Sequence, residues 1–168
     1  MRVYLPATIG MLRRLVAEGK FNPVSGTGFA LTPMLREAYT SGSTEELEYA
    51  ALLDAARASL RLIAADSETA DAADSPRRVV ISADIDAAAP RPDLDAAVVR
   101  LDGPVALDQI AAVHVDSPEA EPAVTAAAAV IDAADLGDPD AEFTLGDAED
   151  HELAWYAPQE LPFLLELL

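Results

Sequence analysis

Apolar and polar positions along the chain follow two periods, and the longest helical one runs from Ser43 to Ala65. At 100° per residue Glu46, Asp54, Arg57 and Arg61 share one narrow sector. Leu47, Leu52, Leu53, Ala55, Ala56, Leu60, Leu62 and Ile63 occupy most of the rest. A helix that is apolar nearly all round is expected to be buried nearly all round. Ser43, with Glu46 three residues on, has the spacing of a capping box. Residues 43–65 therefore read as a buried central helix, with Asp54, Arg57 and Arg61 on its solvated stripe. Glu48 interrupts the apolar arc. It either reaches water or a backbone N–H from the first helical turn, or it marks a site, because a buried carboxylate must be paired or neutralised.

The remaining pattern alternates strands and helices. Arg2 to Leu5 reads as a strand ended by Pro6. Thr8 caps a helix with Ile9, Leu12, Leu15 and Val16 at helical spacing and Gly19 as its stop. Phe29 to Leu31 is a second short strand, and Thr32-Pro33 forms the start of a helix reaching Tyr39. Arg77 to Ile85 is the clearest strand, with a Val-Val-Ile run of the kind covered on both faces. Further strands are expected at Ala97 to Leu101 and Ala112 to Val115, with a turn at Asp102-Gly103-Pro104 and one helical turn at Asp108. Asp116 and Glu119 open an Ala-rich helix to about Ala134, with Val124, Ala127, Ala128 and Ile131 inward. Leu136 to Asp140 reads as a turn, Phe143 as a weak strand beside an acidic loop, and Glu152 to Tyr156 as a strand. Pro158 opens a last helix, docked through Leu161, Leu164, Leu165 and Leu168.

This order predicts an α/β fold, alternatively α+β: a mixed β-sheet layered with about five helices around the buried central helix 43–65. A chain of 168 residues is expected to form a single domain, 1–168, with a flexible acidic connector at about 66–76 and a second loop at 86–93.

Charge changes the picture more than composition does. The net charge is −19, yet residues 1–64 hold seven basic and six acidic side chains, whereas residues 65–168 hold four and twenty-four. Such asymmetry points to an interaction surface, here one suited to a basic protein partner. Direct nucleic-acid or anionic-membrane binding is disfavoured, because phosphate contacts need Lys and Arg and the only lysine is Lys20. No cysteine is present, which excludes disulfides and thiolate metal sites. No apolar run approaches the ~20 residues of a membrane span, and Arg13 and Arg14 break the stretch after Met1. A cytoplasmic protein is expected; oligomeric state is not legible.

Four segments resemble a family of short acidic actinobacterial proteins. They are Met1-Arg2-Val3-Tyr4-Leu5-Pro6-Ala7-Thr8, Glu45-Glu46-Leu47-Glu48-Tyr49-Ala50-Ala51, Val113-His114-Val115-Asp116, and Glu149-Asp150-His151-Glu152-Leu153-Ala154-Trp155-Tyr156. The similarity runs over nearly the whole chain. It implies a source and a cytoplasmic setting, which the Arg-, Ala- and Asp-rich composition of a high-GC genome matches. It carries no activity, cofactor or catalytic residue.

Candidate chemistry centres on the two histidines. Alternation along a strand puts His114 and Asp116 on one face, at a strand end leading into a helix. Asp150-His151-Glu152 supplies a second imidazole among carboxylates. If the segments met, His114, Asp116 and His151 would be candidate ligands for a divalent metal, and with Glu152 and Glu48 they would be candidates for acid–base work. The plainer reading leaves each histidine half-exposed in an acidic protein. Ser25-Gly26-Thr27-Gly28 precedes a strand, the wrong order for a phosphate cradle. Asp135, Asp138 and Asp140 around Gly137 lack the spacing of a calcium loop. A further possibility is a nucleotide bound at the Thr8 helix start, where free N–H groups await an anion. Trp155, the only tryptophan, is expected in the core; exposed beside the acidic run, it would instead anchor a basic partner.

No Ser–His–Asp, phosphate-loop or dinucleotide motif is present. The leading reading is a non-enzymatic acidic interaction or regulatory protein without a cofactor. The alternative is a small metal-dependent or acid–base enzyme using the two histidines and neighbouring carboxylates.

Overall fold

A computed structural model describes residues 1–67 and 74–168. Its backbone is a seven-stranded sheet with helices on both faces. In chain order the elements are β1 (Arg2–Ala7), α1 (Ile9–Glu18), β2 (Lys20–Phe21), β3 (Thr27–Ala30), α2 (Pro33–Ala38), α3 (Thr44–Ser67), β4 (Val79–Asp84) and β5 (Ala89–Pro90). There follow β6 (Val98–Arg100), β7 (Val105–Ala106), β8 (Ile110–Asp116), α4 (Glu121–Asp135), α5 (Pro139–Glu149), β9 (Leu153–Tyr156) and α6 (Leu161–Glu166). The sheet order is β5-β6-β3-β1-β4-β8-β9, and β2 pairs with β7 in a separate ribbon.

Mixed helix and strand content is as expected, but the sheet is not mixed in direction. Each strand pairing recorded among the described residues is antiparallel. The connections explain this. Helices α2 and α3 carry the chain past β1 to its other side, so β3 and β4, which run parallel to each other, are separated by the antiparallel β1 and never pair.

Period-two alternation sends each central strand into two cores. Val3, Leu5 and Ala7 of β1, Val79, Ile81 and Ala83 of β4, and Val113 and Val115 of β8 pack with Ile9, Leu12 and Leu15 of α1 and Leu161, Leu164 and Leu165 of α6. Tyr4, Phe29, Val80 and Val98 face the other way, onto Ala51, Leu52, Ala55 and Ala56 of α3. A third cluster joins Leu60 of α3 to Val124, Ala127 and Ile131 of α4 and Ala141, Leu145 and Ala148 of α5. Small side chains dominate this helix packing, as the Ala-rich composition requires.

Local signals account for the element ends. Thr8 Oγ1 accepts from the Met11 N–H at 3.3 Å, and Gly19 closes α1 with φ 74°. Thr32 Oγ1 accepts from Leu35 N and Ser43 Oγ from Glu46 N. Gly28 is obligatory on packing grounds, since a Cβ there would lie 2.6 Å from Val3 Cγ1.

Four further expectations are corrected. Helix α3 is central but not buried all round. It lies on one face of the sheet with α4 on one side, leaving Tyr49 and Leu53 exposed. β1 continues through Pro6 to Ala7, because its pairing with β3 ends at Tyr4 and Pro6 needs only its β4 neighbour. The segment around Phe143 is helix, not strand, which brings the helices among the described residues to six. Trp155 is exposed rather than core. Of the acidic connector, 68–73 lies outside the described residues. At its end Asp74 accepts a hydrogen bond from Arg13 Nε at 3.0 Å.

Candidate functional site

Strand β8 carries two of the candidates on its α3-side face, and the structure treats them differently. Asp116 is fully buried, and its carboxylate is filled by one residue. The Arg78 backbone N–H and Nε both donate to Oδ2, and Arg78 Nη2 donates to Oδ1, each at 2.8 Å. Arg78 Nη2 also donates to the backbone carbonyl of His151 at 2.9 Å. Beside it, Arg77 donates to the Asp116 carbonyl and to Glu121 Oε2. A bidentate pair sealed this completely is a structural clamp joining β4, β8 and the start of β9.

Two residues earlier, His114 is half-buried. Its Nε2 forms a hydrogen bond with Ser82 Oγ at 2.8 Å across the β4–β8 pair. Burial, and after it the Arg2 guanidinium, hold the His114 imidazole below its ordinary pKa, so the neutral form persists further into the acid range. Register places Ser82 opposite Tyr4 of β1. The Tyr4 hydroxyl donates to Glu48 Oε2 at 3.1 Å. Burial, followed by the Glu48 charge, pushes the Tyr4 hydroxyl up to about 12. Arg2 completes this polar patch through Asp84, with Nε 2.8 Å from Oδ1. Glu48 and His114 therefore meet in one cluster through Tyr4 and Ser82, two residues that sequence reasoning passed over.

The other candidates stand elsewhere. His151 gives Arg78 only its backbone oxygen, while its imidazole lies near Glu119 and adds to the lowering of that carboxyl, which arises mainly from hydrogen bonds to its own backbone and Ser117. Glu152 is exposed at the start of β9. Among the described residues no three of His, Asp and Glu are grouped so as to hold a metal ion. His114, Asp116 and His151 are thus not assembled as a shared ligand set. Asp135 is occupied by Arg57 and Arg61, and Asp138 caps α5. At the Thr8 helix start a Cβ on Gly10 would lie 2.9 Å from the Asp74 carboxylate, a neighbour that repels anions.

Chemically, the sheet-face cluster offers a neutral imidazole and a phenol held protonated. Ser82, however, is only 1 % exposed, so it serves as a buried hydrogen-bond partner, not as an accessible nucleophile. A cavity of about 390 Å³ lies between α3 and α5, lined by Tyr49, Leu53, Arg57, Leu60, Arg78 and Glu149. Its two arginines are already held, Arg57 by Glu142 and Asp135 and Arg78 by Asp116.

The comparison with known families is decisive for kinship. A family of unknown function, DUF6912, matches residues 1–165. The chain belongs to this family. No curated protein and no solved structure matches it. Family membership therefore brings no activity with it. Among the described residues no helix is long and apolar enough to cross a membrane.

Two strongly exposed apolar side chains sit where charge is one-sided. Leu136 in the α4–α5 turn is 89 % exposed and Phe143 on α5 is 77 % exposed. Asp140 and Asp147 flank Phe143 at i−3 and i+4 on the same helical face, and both are exposed. No Lys or Arg follows Arg100 in the sequence.

Proposed function

We propose that the protein is a non-enzymatic interaction or regulatory protein whose acidic C-terminal region receives a basic protein partner. The observation that carries this reading is Phe143, an aromatic ring held out on α5 among carboxylates. Interface hot spots are enriched in aromatic residues, and complementary charge raises association rates and selects partners. The same charge disfavours nucleic acid and anionic membranes. A cytoplasmic setting is part of the proposal.

The test is affinity capture from lysate of the native host, followed by a titration of the identified partner at low and high salt. The expected result is a defined basic partner whose affinity falls on the order of tenfold or more as salt rises. Phe143→Ser should weaken the complex without unfolding the protein. A complex indifferent to salt and to Phe143→Ser would overturn the proposal.

A second reading rests on the Ser82–His114 and Tyr4–Glu48 hydrogen bonds, which place an imidazole and a phenol on one sheet face. In that reading the cluster performs acid–base work on a small ligand bound over the sheet. Ligand-induced shifts of the His114 ring signals in NMR that vanish in Tyr4→Phe would support it, and a ligand screen that leaves those signals unmoved would end it.

A further inference from the structure

Strand β9 is the open edge of the seven-stranded sheet. Among the described residues it pairs with β8 on one side only, in the register His114↔Trp155 and Asp116↔Leu153. An edge strand presents a row of backbone N–H and C=O groups, and proteins usually blunt such an edge with lysine, proline or a covering segment. In β9, Leu153-Ala154-Trp155-Tyr156 contains neither lysine nor proline. Trp155 is 60 % exposed on the same sheet face as its neighbour His114. Exposed Glu149, Asp150 and Glu152 precede the strand, and exposed Glu160 follows it.

We infer that β9 is a strand-addition site for an extended basic segment of a partner protein. Main-chain hydrogen bonds to the free edge would supply the attachment, and Trp155 would cover one side chain of the incoming strand. The surrounding carboxylates choose the occupant. A second copy, itself at net charge −19, would bring like charges together along the new pair. A segment alternating Arg or Lys with β-branched residues places cations among those carboxylates instead. Pro158, two residues past Tyr156, limits the paired length to about one short strand. This inference rests on the basic-partner reading above and adds to Phe143 a second point of contact with a defined geometry.

Trp155 is the chain's only tryptophan, so its emission reports directly on this edge. The experiment titrates the intact protein with an acetylated twelve-residue peptide alternating Arg and Val. Two control peptides replace Val by Pro, or Arg by Glu. Trp155 emission and amide hydrogen exchange across β9 are recorded at low and high salt.

The expected result is a blue shift with the Arg-Val peptide, together with new protection of the outward amides of β9. Both should be absent with either control, and Glu152→Lys should weaken binding about tenfold. Binding of the Arg-Val peptide with unchanged β9 exchange would overturn strand addition while leaving the basic-partner reading standing. Protection of β9 that rises with protein concentration alone would assign the edge to a second copy and overturn the inference. No binding of either Arg-containing peptide at low salt would remove both readings.

Discussion

Asp116 and His114 lie two residues apart on one face of β8, and the chain puts them to opposite uses. Asp116 is closed off by three hydrogen bonds from Arg78, so its charge is matched and its contacts are complete. His114 keeps one buried contact, to Ser82, and stays half-open to solvent beside Trp155. The difference shows that burial alone does not mark a working group. A polar side chain whose hydrogen-bonding capacity is used up holds the fold together, while one with unused capacity at a surface is available to something else.

The largest expected effect comes from breaking the closed end. Asp116→Ala strands the Arg78 cation in the interior and should cost about 3–5 kcal/mol in urea unfolding. Combining Asp116→Leu with Arg78→Met should recover much of that loss, because an apolar pair needs no partner. A single-variant cost below ~1 kcal/mol would show that the pair is not sealed as described.

At the open end the losses are smaller. Ser82→Ala removes the protein partner of His114 Nε2, and water can replace it at a half-buried ring, so about 1 kcal/mol is expected by the same assay. The pH response sharpens the contrast further. The folded chain binds the His114 proton less readily than the unfolded chain, whose pKa is near 6.5. Protonation therefore favours unfolding, and this part of the stability is present above pH 6.5 and lost as pH falls toward the lower folded value. Melting temperatures of wild type and His114→Gln from pH 8 to pH 5 should show the wild type losing more. Parallel curves would mean that His114 titrates as it does in the unfolded chain.

The smallest effect is expected at Trp155. Truncation to Ala should change stability by less than ~0.5 kcal/mol, because most of the ring is already in water. A larger loss would mean that the indole is held against the sheet, and would weaken its assignment as an anchor.

What could be read in the sequence depended on distance along the chain. The caps at Thr8, Thr32 and Ser43 and the stop at Gly19 act within a few residues, and each is found where its local signal places it. Helix α5 was legible too: Asp138-Pro139 is an N-cap and N1 pair, and Ala141, Leu145 and Ala148 follow at helical spacing. The density of carboxylates masked it, so that the segment read as a weak strand at Phe143 beside an acidic loop. The sheet-face cluster was not legible. Tyr4 meets Glu48 across 44 residues and Ser82 meets His114 across 32, and neither contact has a local cause. Arg78 was equally hidden, since only the β4–β8 register makes it the partner of Asp116.

The place of β1 in the middle of the sheet has a consequence for how the chain is made. Its Arg2 meets Asp84 across 82 residues, so β1 gains its β4 neighbour late in synthesis. At about 5–20 residues per second that interval is on the order of ten seconds. During it, Val3, Tyr4 and Leu5 have no strand on that side. A nascent chain stalled before β4 would therefore offer a sticky apolar edge to its neighbours on the same message. Slowing translation over residues 30–78 should raise the fraction of product found in aggregates.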